Sequence, residues 1–172
     1  ELNNNSCNVT VFSSEVKAEE ILDGKFDALM LSNGPGDPKE NLFQIEQLKK
    51  LFGKIPIFGI CLGHQLLALA TGADTGKLKY GHRGTNQPVK DLNTGKVFIT
   101  SQNHGYAVLK DSLKGSAIQS FENANDKTCE GIDYIDKFAF TVQFHPEACA
   151  GPLDSNYLFK RFIKMIEDFK NA

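Results

Sequence analysis

The chain has 172 residues, a net charge of -2, 41% hydrophobic and 23% charged side chains, which is enough to bury one domain-sized core and typical of a globular protein. Its 19 basic and 21 acidic residues are mixed, with no Lys/Arg stripe to serve as an electrostatic footprint for nucleic acid. No apolar run approaches the roughly 18 residues that span a bilayer and the opening ELNNNSCN is too polar for a secretory leader, so a cytoplasmic protein with neither a membrane nor a nucleic-acid partner is expected.

ELNNNSC reads as the end of a helix that leads into a strand, whereas a doubly wound domain begins with a buried strand and its helix. The expectation is one domain over residues 1–172, truncated at its N-terminus. CNVTVF (7–12) and FDALMLS (26–32) are short β-favouring runs, with KAEEIL between them as a brief helix. After LSNGPGDP (31–38), the run ENLFQIEQLKKLF repeats Leu42, Ile45, Leu48 and Leu51 at helical spacing, and Asp37 and Pro38 suit its N-cap and first turn. IPIFGI (55–60) is a nearly continuous apolar strand followed at once by a helical run over 62–71. This alternation predicts βαβ units, hence an α/β fold with an open, mostly parallel sheet flanked by helices.

The character changes after about residue 76. KVFITS (96–101), YAVL (106–109), AIQSF (117–121), GIDYI (131–135) and FAFTVQF (138–144) are β runs separated by polar turns, which predicts an additional antiparallel or mixed region. From Asp154 to about Phe169, Leu158, Phe159, Phe162, Ile163, Ile166 and Phe169 share one face of an amphipathic closing helix.

Four cysteines, at 7, 61, 129 and 149, form no CxxC pair and read as free thiols of a reducing compartment. Cys61 stands apart. Gly59 and Gly63 flank it at two residues on either side, where a buried strand turns into a helix, the pattern of a nucleophile elbow. Such an elbow pushes the sulfur out of the strand end, aims the helix N-terminus at it in favour of the thiolate, and places the amide of Leu62 near a developing oxyanion. The competing reading is a structural cysteine buried at a helix start.

A thiol nucleophile needs a base. His145 follows the apolar strand FAFTVQF at its carboxyl end, the edge where open α/β sheets place their chemistry, and Glu147 is near enough to hold one imidazole nitrogen. In LSNGPGDP, Gly34 and Gly36 let backbone approach a ligand; a simple turn is the alternative for that loop. The loop lacks the Lys-Ser/Thr of a phosphate loop, and so does GADTGKL (72–78).

GICLGHQ (59–65) and HPE (145–147) resemble the motifs of the class I glutamine amidotransferases. YGHRGTNQPV (80–89), TSQNHGYAV (100–108), NANDKTCEG (123–131) and VQFHPEACAGPLD (142–154) are similar, more narrowly, to the glutaminase domain of the carbamoyl-phosphate synthetase small subunit. The resemblance implies Cys61 as nucleophile, His145 as acid and base, Glu147 as its orienter, and the amides of Gly34 and Leu62 as oxyanion hole. It implies that Gln65 and the backbone around Gly36, Asn103, Gly105 and Tyr106 hold the α-amino and carboxylate groups of L-glutamine. It implies no metal or organic cofactor in this domain. ATP, Mg and bicarbonate belong to the partner, a carbamoyl-phosphate synthetase large subunit or fused synthetase domain that receives the ammonia.

His64, His82 and His104 lack ligand spacing and read as hydrogen-bonded structural histidines. Cys149 reads as a loop-packing residue, with a redox partner for Cys61 as the alternative. The family's separate N-terminal domain and opening strand are absent from the sequence. Two other functions remain in view: a catalytically silent domain that binds or regulates a synthetase, and a thiol hydrolase of γ-glutamyl peptides.

Overall fold

The computed structural model describes residues 1–148 and 157–172. Its frame is set by three short parallel strands, β1 (Leu29–Leu31), β2 (Ile57–Ile60) and β7 (Ala139–Val142), in the spatial order β1, β2, β7. β2 is buried at every position and needs a cover on each face, which explains its unbroken apolar sequence. On one face, Phe58 stacks on Phe140 at 4.5 Å and meets Phe159 and Phe162 of the closing helix α4 (Tyr157–Lys170). On the other face, Ile57 packs with Ala18 and Ile21 of α1 (Ala18–Asp23), Leu51 of α2 (Leu42–Leu51) and Leu67 and Ala68 of α3 (Leu62–Ala70). Each fully buried Phe or Leu contributes about 1.5–3 kcal/mol.

The remaining strands are β3 (Thr75–Asp91), β4 (Val97–Val108), β5 (Ala117–Asn123) and β6 (Cys129–Tyr134). The sheet order is β1-β2-β7-β6-β4-β3-β5, with β5 also paired to β6, so β6, β4, β3 and β5 close into a ring. The expectation of an open, mostly parallel sheet is therefore corrected. Parallel pairing is confined to β1–β2 and β2–β7, and the other pairings are antiparallel. Connection length is the reason: parallel neighbours need a crossover of a dozen residues or more, whereas the turns after β3, β5 and β6 are hairpin-sized. Register shifts in the β3–β4 and β5–β6 ladders bend these strands enough to close the ring.

One expected strand does not form, and KVFITS (96–101) and YAVL (106–109), expected as separate runs, are parts of the single strand β4. CNVTVF (7–12) forms no ladder; Val11 is 88% exposed, and Phe12 packs edge-on against Phe26 instead. Conversely, β3 runs for 17 residues through polar and glycine-rich sequence that showed no alternation, because most of it has no buried face. The helix of residues 42–51 is also entered differently from the expectation. Asp37 caps a separate 3-10 turn, Pro38–Glu40, by accepting from the Lys39 amide at 2.9 Å, and α2 begins after Asn41. Residues 154–156 of the expected closing helix, and Cys149, lie outside the described residues. Cys7, Cys61 and Cys129 are free thiols. Among the described residues no helix is long and apolar enough to cross a membrane.

Helix α3 sits on the sheet with almost no clearance. A Cβ on Gly63 would come within 2.5 Å of the Leu31 carbonyl oxygen, and one on Gly59 within 2.9 Å of the Gly63 backbone. The fully buried His64 links α3 to β7 through a 2.8 Å contact between its Nδ1 and Thr141 Oγ1, and burial pushes its pKa down to about 3. A base whose folded pKa lies below the ordinary 6.5 contributes a stability that is complete above 6.5 and is lost as pH falls toward 3.

Gly63→Ala is accordingly expected to lower stability by about 1–3 kcal/mol through overpacking. Urea unfolding reads this as a lower midpoint at constant slope; an unshifted midpoint would show that α3 has room to move. His64→Gln is expected to make the melting temperature less sensitive to acidification below about pH 6.5, and an equal acid slope in both proteins would contradict the assignment.

Candidate active site

Because β1, β2 and β7 are parallel, their carboxyl ends lie at one edge of the sheet. The three segments singled out in the sequence leave from those ends. The loop with Gly34 and Gly36 follows β1, Cys61 follows β2, and His145 follows β7 after a bend at Gln143 and Phe144. The Cys61 amide donates to Val142 O at 2.9 Å, so the sulfur-bearing residue is level with the end of the strand that carries the imidazole.

Cys61 has φ 52° and ψ -103°, a conformation that side chains other than glycine rarely adopt, and it is the N-cap residue of α3. Strain of this kind costs about 1–3 kcal/mol and persists where the surroundings enforce it. Here the enforcing contacts are the Val142 bond on one side and the glycine packing of α3 on the other.

His145 Nδ1 lies 2.8 Å from Glu147 Oε1. Its Nε2 is buried and makes no well-formed hydrogen bond, and the Cys61 sulfur is near enough to be the foremost influence on the ring. Cys61 first, and Glu147 second, raise the His145 pKa to about 10 against the opposing effect of burial. The imidazole is thus cationic at neutral pH, and a cation beside a sulfur favours the nucleophilic thiolate. This arrangement suits nucleophilic acyl transfer at a thiol. Since the folded pKa lies above the ordinary 6.5, the bound proton stabilises the fold fully below 6.5, and that contribution is lost as pH rises through 10.

Gly34 and Leu62 come together, for a Cβ on Gly34 would meet Leu62 Cδ2 at 2.7 Å. Gly36, at φ +97°, faces open space. Across that space the Tyr106 hydroxyl meets the Asp37 carboxylate; loss of solvent and then this contact raise the phenol pKa. The structure therefore brings the Gly36 loop and the Tyr106 segment to one place. Asn103 lines a cleft of about 280 Å³ together with His145, Glu147, Ser101 and Gln102. Gly105 lies between, its missing Cβ 3.8 Å from Arg83 Nη2.

Gln65 is one helical turn past Cys61, as expected, but its side chain is 3% exposed and its Nε2 donates to Tyr106 O at 2.8 Å and to Gln143 Oε1 at 2.9 Å. In this structure it anchors the Tyr106 backbone. A second group was not legible as a cluster in the sequence: His82, His104 and Glu130 bring ligand-type atoms within 4.8 Å of one another. Their positions are 48 residues apart or less in a region of polar strands, and only the closed ring brings them into register, with His82 opposite His104. Gln102 and Gln143 were missed as well, since nothing distinguishes a buried network glutamine from a surface one in sequence.

Residues 1–165 match the family model described as glutamine amidotransferase class-I, and the chain belongs to that family. It is 56% identical over 171 residues to the carbamoyl phosphate synthase small chain of Staphylococcus saprophyticus and 58% identical over 171 residues to that of Bacillus cereus. Each comparison covers 99% of this chain and 47% of the relative, so the chain spans about half the length of these curated relatives. The fold is similar to that of a glutamine amidotransferase from Thermotoga maritima, with TM-score 0.59 and 21% identity over 83% of this chain and 66% of that one. It is also similar to a glutamine amido transferase from Methylobacillus flagellatus, with TM-score 0.62 and 16% identity over 86% of this chain and 59% of that one.

Glu147→Gln removes the second influence that raises His145, so the imidazole pKa is expected to fall from about 10 toward 6.5. Titration of the His145 ring by NMR reads the shift directly, and an unmoved midpoint would remove Glu147 from the pair.

Proposed function

We propose that this chain hydrolyses L-glutamine to glutamate and ammonia with Cys61, His145 and Glu147, and that the ammonia passes to a carbamoyl-phosphate synthetase partner. The observation that carries the reading is the Glu147-held imidazole whose pKa is raised foremost by the Cys61 sulfur, at the carboxyl edge of the parallel strands. The naming of relatives as carbamoyl phosphate synthase small chains supports the choice of partner.

The Cys61 sulfur attacks the side-chain carboxamide carbon of glutamine. The carbonyl oxygen takes the negative charge and is held by the backbone amides of Gly34 and Leu62. Collapse of the tetrahedral adduct breaks the C–N bond; His145 gives its proton to the leaving nitrogen, ammonia departs, and a glutamyl thioester remains. Acylation also removes the sulfur as a hydrogen-bonding partner, the first influence that raised the imidazole pKa. The neutral ring then takes a proton from water, whose oxygen attacks the thioester. Cleavage of the C–S bond returns that proton toward sulfur and releases glutamate.

Gly36, Asn103, Gly105 and Tyr106 hold the amino-acid end of the substrate in this reading, with Gln65 fixing the Tyr106 carbonyl. Residues 1–172 act as one glutaminase domain in the cytoplasm, where its thiols stay reduced. The domain itself needs no metal or organic cofactor; ATP, Mg and bicarbonate are consumed at the synthetase site.

The test is ammonia release from glutamine by the full chain in complex with its synthetase partner. Cys61→Ser is expected to lower it by at least about 10³-fold, and a glutamine-like diazo-ketone is expected to modify Cys61. An unlabelled Cys61 with no ammonia release would favour a silent regulatory domain, and preference for γ-glutamyl peptides over glutamine would favour a peptidase.

A further inference from the structure

Strand β4 carries the substrate segment, yet it shares one ladder position with β6, Val108↔Cys129. On its other side the β3–β4 register slips between Lys77 and His82, opposite the stretch from His104 to Tyr106. Asn103, His104 and Tyr106 are paired to β3, but Gly105 between them has no ladder partner on either side, so the main-chain ladder is interrupted within the segment that is to hold glutamine. Side chains supply the tie. Gln102 Nε2 donates to Glu130 Oε2 at 2.9 Å, His104 Nε2 lies 3.0 Å from Gln102 Oε1, and His104 Nδ1 lies 2.7 Å from Tyr106 O. The same carbonyl receives Gln65 Nε2.

We propose that Glu130 is a positioning residue for glutamine binding, acting through Gln102 and His104 on the backbone of Asn103–Tyr106. This rests on the glutaminase reading and deepens it. Glu130 is wholly buried and is not among the residues that line the cleft, while Gln102 and Asn103 line it beside His145. Glu130, and Ser101 next to Gln102, are both fastened to the segment that bears His145. The Gln143 amide donates to Glu130 O at 2.8 Å, and the His145 amide donates to Ser101 O at 2.9 Å.

The terminal carbonyl accepts only, so His104 donates from Nδ1. Upstream, two proton placements satisfy the same contacts. In one, an imidazolium at His104 donates to Gln102 and the Gln102 amide donates to a Glu130 carboxylate. In the other, the Gln102 amide is turned, a neutral His104 accepts from it, and a protonated Glu130 donates to Gln102. Burial lowers the His104 pKa to about 4 and raises that of Glu130, both in favour of the second placement. The two placements have the same total charge, so the chain remains bonded whichever holds. His82, with Nδ1 3.2 Å from Glu130 Oε1 and Nε2 2.8 Å from Asp126 Oδ2, closes the group on its outer side.

The test is glutamine hydrolysis by the full chain with its synthetase partner, with KM and kcat measured separately. Glu130→Leu keeps the volume but cannot hydrogen-bond. It is expected to raise the KM for glutamine roughly 10- to 100-fold, with kcat within about threefold. Glu130→Gln retains a partner for Gln102 and is expected to restore most of the affinity. Gln102→Leu, which leaves Glu130 and His82 paired, is expected to reproduce the KM rise, and the double variant Glu130→Leu/Gln102→Leu to add little to it. Glutamine protection of Cys61 from iodoacetamide should weaken in parallel. A folded Glu130→Leu or Gln102→Leu protein with unchanged KM overturns the proposal, as does a fall in kcat at constant KM, the mark of lost active protein. Failure of the glutaminase reading is distinct: the unsubstituted complex itself would release no ammonia.

Discussion

The meeting of the Cys61 sulfur with the His145 ring, across the ends of two adjacent parallel strands, is the constraint on which the rest depends. The sulfur raises the pKa of the ring beside it. It is the first influence that does so and Glu147 the second, so the basicity of the ring is set jointly by its two neighbours. Glu147 holds Nδ1 throughout. It sets the ring's orientation and part of its basicity, and the sulfur supplies the larger part. A pair of this kind needs no third titrating group, only registration to within hydrogen-bond reach.

That registration comes from packing. β2 and β7 are joined by the ladder Ile57↔Ala139 through Ile60↔Val142, and the Cys61 amide extends it by one more bond to Val142 O. The elbow then turns within a single strained residue, with α3 pressed so close that Gly59 and Gly63 have no room for a methyl group. The aromatic layer of Phe58, Phe140, Phe159 and Phe162 holds the same two strands from the opposite face. Strain at Cys61 is thus opposed from both sides of the sheet, which is how a conformation costing about 1–3 kcal/mol survives.

Much of this half was legible in the sequence because its signals are local. A continuous apolar run, glycine at fixed offsets from a cysteine, and a histidine at the end of an alternating strand each report on a few neighbouring residues. α1, α2, α3 and the described part of α4 fall where their periodicity placed them. The antiparallel half was poorly legible for the opposite reason. β3 has few buried positions to mark a period of two, and closure of the ring depends on bulges and on β6 pairing with three neighbours. CNVTVF carries β-favouring residues, but propensity without a ladder partner does not make a strand. The role expected of Gln65 was placed on the right turn of the right helix, and its buried amide turns out to hold backbone.

The division between the halves is also a division of labour. Cys61 and His145 follow parallel strands, whose carboxyl ends necessarily share an edge. Ser101, Gln102 and Asn103, which line the space beside His145, come from an antiparallel strand whose register with β3 is irregular on both sides of them. Where the ladder is interrupted at Gly105, a buried acid, amide and imidazole in series add a directional tether to the backbone on either side. His82 and His104 meet as cross-strand partners of the β3–β4 ladder, and closure of the ring brings Glu130 of β6 against both.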